Sequence, residues 1–229
     1  TKIDILVTPL VTIGVGVGLS AWWAPALGKA AMKVGSVIMW ATDLQPFFMG
    51  ILVSVFVGIA LTLPISSAAI CAALGLTGLA GGAAVAGCCA QMVGFAVMSF
   101  RENKWGGLVS QGIGTSMLQM GNIVRNPRIW IAPIVTSAIT GPIATCLFRL
   151  QMNGTAVSSG MGTCGFVGQI GVYTGWMNDI AEGTKTAVTA MDWAGLFLIS
   201  FILPAVLCPL INMFVRKLGW VKDGDMTLS

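Results

Sequence analysis

Hydrogen-bonding side chains are concentrated in one stretch of the chain, LVSQGIGTSMLQMGNIVRNPRIW (108–130). Those that could contact a ligand are Gln111, Thr115, Gln119, Asn122 and Asn126. Amides donate and accept hydrogen bonds, and both roles suit the hydroxyl groups of a small polar solute. A helix that faces lipid would not tolerate so many amides, so we expect the stretch to lie at a membrane interface or to line a cavity enclosed by protein.

A second stretch, SGMGTCGFVGQIGVYTGW (159–176), has six glycines and no charge. It contains a literal GxGxxG, but a dinucleotide site needs a strand before this motif and a βαβ unit around it, and the sequence shows neither. Its large apolar residues exclude a disordered linker. We interpret it as backbone that bends where bulky residues do not fit, with Thr163, Gln169 and Tyr173 facing a solute. Alternatively, its glycines serve only to pack helices together.

Acidic residues follow this second stretch. Asp179 and Glu182 offer carboxylates to a solute, or they belong to a solvated loop. The chain has no histidine, which excludes histidine-based metal sites and Ser-His or Cys-His catalysis. Its six cysteines form no CxxC pair and sit in apolar runs, as is typical of small buried residues. We therefore predict no catalytic residue, no metal and no cofactor.

Composition identifies the solvent around these stretches. Of the 229 residues, 56% are hydrophobic and only 9% are charged, and the mean hydropathy is +0.89. Soluble domains carry about 25% charged residues, so most of this surface must face lipid. We predict a single transmembrane domain over residues 1–229. Because the chain begins at Thr1 without a signal sequence, we also expect it to be the C-terminal part of a longer chain.

The predicted fold is an all-α integral membrane protein with about five full transmembrane helices. A crossing helix needs about 20 apolar residues. The predicted spans are 5–22, 46–63, 83–100, 129–148 and 193–215. Trp22 and Trp23 mark an interface, and the two lysines of 29–40 predict an interfacial amphipathic helix. Residues 66–100 carry no charge over 35 positions, and we expect Gly81-Gly82 to divide them.

Two stretches, 67–80 and 159–176, are candidates for re-entrant elements. If both return to the face they enter from, nine of the twelve basic residues, including Lys29 and Lys33, collect on the cytoplasmic side. Asp179, Glu182 and Asp192 then lie outside, and residues 216–229 form a cytoplasmic tail. The alternative is two additional spans.

Several of these motifs resemble a known family. The residues NIVRNPRIWIAPIVTSAITGPIATCLF (122–148), SSGMGTCGFVGQIG (158–171), QGIGTSM (111–117) and the Gln45-Pro46 helix start resemble the membrane-embedded IIC component (EIIC) of the bacterial phosphoenolpyruvate-dependent sugar phosphotransferase system, in its stand-alone branch. The resemblance implies a multi-pass permease with re-entrant hairpins in the bacterial cytoplasmic membrane, a homodimer, and a small polar solute bound within the bilayer.

The same resemblance implies a separate IIB-type partner that supplies phosphate. We expect no nucleic-acid partner. In that family an acidic residue or a histidine near the sugar assists the transfer. Without histidine, Asp179 or Glu182 would have to take this role here, so the chain is at most the membrane component of a sugar phosphotransferase.

Three functions follow from the residues and the resemblance together. The first is a transporter that binds a polar solute, such as a sugar, between 112–127 and 159–176. The second is a membrane sensor or regulatory protein that kept the EIIC-like fold without phosphotransfer. The third is a purely structural membrane subunit.

Overall fold

A computed structural model describes residues 4–228, except the side chains of residues 4–10, 19–25 and 27. Regular structure in the described residues is helical, as predicted. The helices are α1 (Asp4–Leu44), α2 (Pro46–Thr62), α3 (Ser67–Leu74), α4 (Gly78–Met98), α5 (Phe100–Val109), α6 (Met120–Arg125), α7 (Ile131–Pro142), α8 (Ala156–Ser159), α9 (Val167–Ala181), α10 (Ala190–Phe197) and α11 (Leu203–Lys217). Short 3₁₀ and π turns continue several of them.

Three described helical stretches are long and apolar enough to cross a membrane: Gly78–Met98, Pro127–Leu147 and Ala190–Lys217. They coincide with the predicted spans 83–100, 129–148 and 193–215. Helix α2 is apolar but shorter, with 17 residues. The class of helical membrane protein is therefore confirmed, and the count of five full spans stays a prediction.

The N-terminal region differs from the expectation of two elements. One continuous helix of 41 residues, α1, replaces the span 5–22 and the separate amphipathic helix 29–40. Its C-terminal part is held by packing on the α3 region, where Gly35 lies against the Leu74 carbonyl and Met39 Sδ accepts a hydrogen bond from Thr77. We expect Trp22 and Trp23 to mark an interface, but their side chains lie outside the part of the chain that the structure describes.

The chain breaks before α4 at Gly75, and the predicted break at Gly81-Gly82 was wrong. Gly75 adopts the left-handed conformation (φ 64°) that ends α3, a role that favours glycine. Gly81 and Gly82 lie inside α4. A Cβ on Gly82 would come within 1.8 Å of the Leu150 carbonyl oxygen, so this glycine allows a neighbouring segment to pack closely.

Helix α4 is the centre of the molecule, because nearly all of its residues are buried. Helices α2, α7 and α11 pack around it, and small residues let their backbones approach. A Cβ on Gly87 of α4 would lie 1.9 Å from the Ser54 carbonyl oxygen of α2. Ser54 Oγ also donates to the Ser137 carbonyl of α7 (2.8 Å), so the three helices meet along one seam.

Residues 150–181 form a hairpin that reaches the middle of α4 and returns. Met152 pairs with Gly78 at the start of α4, whereas Gly162 lies against Cys88 halfway along it. The returning helix α9 brings Asp179 back to the level of Asn153. This is the shape expected of a re-entrant element, and its placement in a bilayer stays a prediction.

Charge is divided between the two ends of α4. We call the Met98 end, where Arg216 contacts Glu102, the arginine-rich end. Its basic residues are Arg101, Lys104, Arg125, Arg128, Arg216, Lys217 and Lys222. The Gly78 end, near Asp179, we call the acidic end. Helix α1 approaches this acidic end at Thr77, so it does not bring Lys29 and Lys33 to the arginine-rich end as expected.

Candidate solute-binding site

The amide-rich segment is a break between helices. A π turn over Ser110–Gly114 is followed by Thr115 in extended conformation (φ −161°, ψ 143°) and a 3₁₀ turn over Ser116–Gln119. Thr115 Oγ1 accepts a hydrogen bond from the Met117 N–H (3.1 Å), so its hydroxyl caps the new turn. Ser116 Oγ is within 2.9 Å of Thr62 Oγ1, which fixes the break against the end of α2.

The buried amides of this segment bind the C-terminal tail, residues 218–228. Gln119 Nε2 donates to Gln111 Oε1 (2.9 Å) and to the Met226 carbonyl (3.0 Å). Asn122 Nδ2 donates to Gln119 Oε1 (2.8 Å) and to the Thr227 carbonyl (3.0 Å). Gln111 and Gln119 are fully buried. The hydrogen-bonding capacity of these amides is therefore used largely within the protein.

Asn126 is a further link to the tail. Its Nδ2 donates to the Trp220 carbonyl (3.0 Å) and to Asp225 Oδ2 (2.8 Å), while its Oδ1 accepts from the Arg128 N–H (3.2 Å). The backbone of Asn126 is extended (φ −139°, ψ 91°), which confirms the predicted helix break before Pro127.

Glu102 holds the tail from the other side and was not singled out from the sequence. Its two carboxylate oxygens accept hydrogen bonds from Arg216 Nη2 (2.7 Å) and from the Met226 N–H (2.8 Å). The Met226 side chain is fully buried. A mid-chain glutamate and a distant tail share no local pattern, so the sequence carried no signal for this contact.

The glycine-rich segment is broken only over 160–166, because helix α9 resumes at Val167. The irregular backbone is thus shorter than predicted. Gly162 (φ 53°), Gly165 (φ 52°) and Phe166 (φ 57°) are all left-handed. Glycine adopts the left-handed conformation readily. Gly162 also lets the segment pack closely on α4, because a Cβ at this position would lie 2.6 Å from the Cβ of Cys88.

The start of α3 meets the tip of this hairpin. Ser67 Oγ donates to the Gly160 carbonyl (2.7 Å), and a Cβ on Gly160 would lie 2.6 Å from the Ser67 carbonyl oxygen. Ser66 Oγ caps α3 by accepting from the Ala69 N–H (3.1 Å). The pair Ser66-Ser67 was missed in the sequence, although serine before an apolar run is a helix-start signal.

The three predicted side chains of the hairpin point to different surroundings. Thr163 is buried, and its Oγ1 donates to Met92 Sδ (3.6 Å). Gln169 Nε2 donates to Ser200 Oγ (2.9 Å) and to Cys89 Sγ (3.3 Å), and its buried Oε1 has no partner in the described part of the chain. Tyr173 packs on Trp193 in an aromatic groove between α9 and α10, with ring centroids 5.8 Å apart.

A hollow of about 390 Å³, widely open to the surface of the protein, lies where the helix breaks converge. We call it the central cavity. It is lined by Leu61, Pro64, Ile65, Ser66, Ser67, Ala68, Thr115, Met117, Met161 and Cys164. Three of these residues carry hydroxyl groups, and none is charged. Of the predicted site residues, Thr115 lines this cavity, whereas Gln111, Gln119, Asn122 and Asn126 do not.

Asp179 and Glu182 lie away from the central cavity, at the acidic end. Both line a second cavity of about 420 Å³. Both carboxylate oxygens of Asp179 accept from Asn153 Nδ2, each at 3.0 Å. The predicted site residues therefore separate into a tail-binding cluster, the central cavity, an aromatic groove and an acidic-end cavity, and Thr163 lies apart from these, buried against Met92.

The comparison with known families gives one match. The model of the family described as "Phosphotransferase system, EIIC" matches residues 1–228, essentially the whole chain. No curated protein and no solved structure matches the chain significantly. The family is that of the membrane-embedded sugar-transport component, which works with a cytoplasmic IIB partner, and it agrees with the apolar helices described above. The chain belongs to the phosphotransferase system EIIC family.

Proposed function

We propose that this protein binds a small polar solute, a sugar, in the central cavity and carries it across the bacterial cytoplasmic membrane as a multi-pass permease. The observation that supports this most strongly is the convergence of three helix breaks, at 63–66, at Thr115 and at 160–166, around one cavity. In membrane transporters, discontinuous helices at mid-membrane supply the polar groups that bind the solute.

The lining of the central cavity favours a neutral solute. Ser66 and Thr115 use their oxygens as acceptors for backbone N–H groups, and neither hydroxyl donates to another group among the described residues, so each can donate to a solute oxygen. The first backbone N–H groups of α3 lie at the same wall, where a helix start leaves donors without an intrahelical partner. Met117, Met161 and Leu61 supply apolar walls. Hydroxyl recognition on a mostly apolar wall suits a sugar.

The cytoplasmic partner fits the arginine-rich end in this proposal. Arg101, Arg125 and Arg128 are exposed there and would attract a phosphorylated IIB-type protein.

The predicted homodimer remains part of the proposal. The described side chains of α1 between residues 11 and 18 are exposed, and no described atom lies within 4 Å of where a Cβ on Gly14, Gly16 or Gly18 would stand. A second copy could pack there closely.

A test is sugar exchange in proteoliposomes with variants of the central cavity. Thr115→Val and Ser66→Ala each remove one hydroxyl and should raise the half-saturating sugar concentration by roughly 2- to 10-fold, the value of one neutral hydrogen bond. Thr115→Ser and Ser66→Thr keep the hydroxyl and its capping bond and should restore the affinity.

The matched control is Thr174→Val, which removes an exposed hydroxyl that bonds only the Ile170 carbonyl within its own helix. It should exchange sugar like the wild type. Exchange by Thr115→Val and Ser66→Ala at wild-type affinity would rule out the central cavity as the solute site. No exchange or binding of any sugar by the wild type would contradict the proposed function itself.

A further inference from the structure

The acidic-end cavity of about 420 Å³ is the most polar hollow among those described. The segment after α7, the end of α9 and the loop before α10 enclose it. Its lining residues are Phe148, Arg149, Leu150, Gln151, Asn153, Trp176, Asp179, Glu182, Thr184, Lys185 and Asp192. Such a size falls within the range of small-molecule sites.

Part of this lining is fixed by contacts within the protein. Asn153 binds both oxygens of Asp179. Lys185 forms an ion pair with Asp192 (2.8 Å), and its ammonium lies 5.3 Å from the ring centre of the buried Trp176. These contacts give Asp179, Lys185 and Asp192 partners within the protein.

Two opposite charges of the lining remain without such partners. Arg149 and Glu182 are exposed, and neither has a hydrogen-bond or ion-pair partner among the described side chains. Arg149 also has a left-handed backbone (φ 46°), a conformation that residues other than glycine rarely adopt. The fold thus holds a guanidinium and a carboxylate at one cavity without pairing them.

The Arg149 guanidinium and the Glu182 carboxylate together indicate the class of molecule that the cavity would bind. A guanidinium donates to hydroxyl oxygens and a carboxylate accepts from hydroxyl hydrogens, so together they match a molecule with several hydroxyl groups. Gln151 adds an amide beside them. The lining carries two cations, Arg149 and Lys185, against three carboxylates. The resulting net charge of −1 disfavours phosphorylated or carboxylated sugars.

We propose that the acidic-end cavity is a second solute site, which captures a neutral polyhydroxylated molecule, a sugar or a sugar alcohol, before it enters the central cavity. This inference rests on the proposed function, because the captured molecule is the transported one. The cavity lies at the end of α4 opposite the arginine-rich end, which the positive-inside rule places away from the cytoplasm. A site for the unphosphorylated solute belongs on that side.

The test is calorimetric titration of the purified full chain with hexoses, hexitols and hexose 6-phosphates. Arg149→Gly removes the guanidinium and suits the left-handed backbone, so the fold should be kept. Glu182→Gln removes one charge at constant shape. Each variant should weaken the binding of neutral sugars about tenfold or more, which is the loss of affinity expected when one hydrogen bond to a charged group is removed. Hexose 6-phosphates should bind the wild type more weakly than the hexoses.

Lys104→Gly is the matched control for Arg149→Gly. Lys104 is also basic, exposed and left-handed (φ 50°), but it lies at the arginine-rich end. It should bind sugar like the wild type. Wild-type affinity in both Arg149→Gly and Glu182→Gln, with Thr115→Val impaired, would overturn the capture site and leave the proposed function standing. Tighter binding of the 6-phosphates would overturn the assigned class. A wild type that binds no sugar would overturn both proposals.

Discussion

Two helix breaks meet beside α4, and they are built in opposite ways. The break at 110–126 is rich in amides, and they spend most of their hydrogen bonds on one another, on nearby groups of the protein and on the C-terminal tail. The break at 160–166 is poor in polar side chains and rich in left-handed backbone, and it packs against Cys88 and Ser67 through glycines. Both contribute to the central cavity, through Thr115 and through Met161 and Cys164.

The difference shows that polar density alone does not identify a solute site. An amide contributes to ligand binding only when its own protein leaves it a free donor or acceptor. In the first break the amides order the tail, and Thr115 is the predicted polar residue that also reaches the cavity. In the second break the glycines position a hairpin tip, and the neighbouring hydroxyls of α3 supply the polarity.

The largest effect should come from substitution of the hairpin tip. In Gly162→Ala the new Cβ would lie 2.6 Å from Cys88 Cβ, at a residue with φ 53°. Left-handed strain and overpacking together should lower the free energy of unfolding by about 3 kcal/mol. Thermal unfolding in detergent measures this. Gly114→Ala in the first break is the control, because nothing lies within 4 Å of its added Cβ and its stability should change little. Equal stability of the two variants would contradict the packing role of the tip.

An intermediate effect should come from the amide cluster. Gln119→Leu leaves the buried Gln111 Oε1 without its donor and should lower the free energy of unfolding by about 2 kcal/mol. The affinity of the folded protein for sugar should stay unchanged. Gln45→Leu, at an exposed residue that makes no side-chain capping bond, should alter neither quantity. Lost sugar affinity at unchanged stability would instead place Gln119 in the solute site.

A smaller effect should come from the anchor of the tail. Glu102→Gln weakens the contact with Arg216 while keeping an acceptor for the Met226 N–H, so about 1 kcal/mol of stability should be lost. The difference from wild type should shrink at high salt, because ions screen the pair. Asp43→Asn, at an exposed carboxylate on α1, should leave the melting temperature unchanged. An unchanged melting temperature in Glu102→Gln would show that the contact with Arg216 adds nothing measurable to the amide and apolar contacts that hold the tail.

The sequence predicted the long apolar helices and the existence of the two breaks, because both depend on local patterns. Apolar runs mark α4 and the helices around it, and Asn126-Pro127 marks a helix start by steric restriction. The partners of Gln119 could not be predicted in this way, since Met226 lies 107 residues further along the chain. Gly81 and Gly82 led to a wrong helix boundary. A glycine pair looks the same in the sequence whether it ends a helix or lets a neighbouring segment pack closely against that helix.

The site residues show the same limit. Thr115 was predicted at a cavity from its surroundings in the chain, whereas Ser66 and Ser67 reach that cavity only because α3 turns back toward the hairpin. Whether a polar residue faces a solute depends on tertiary contacts that no local pattern encodes.

The most direct test of the account uses native cysteines as reporters. Cys164 lines the central cavity and is partly accessible, whereas Cys146 is exposed at the end of α7 and does not line it. With the other cysteines replaced by alanine, modification by a small permeant maleimide would be followed by mass spectrometry with and without saturating sugar. If the solute occupies the central cavity, sugar slows the modification of Cys164 and leaves that of Cys146 unchanged. Equal modification of Cys164 with and without bound sugar would contradict the account.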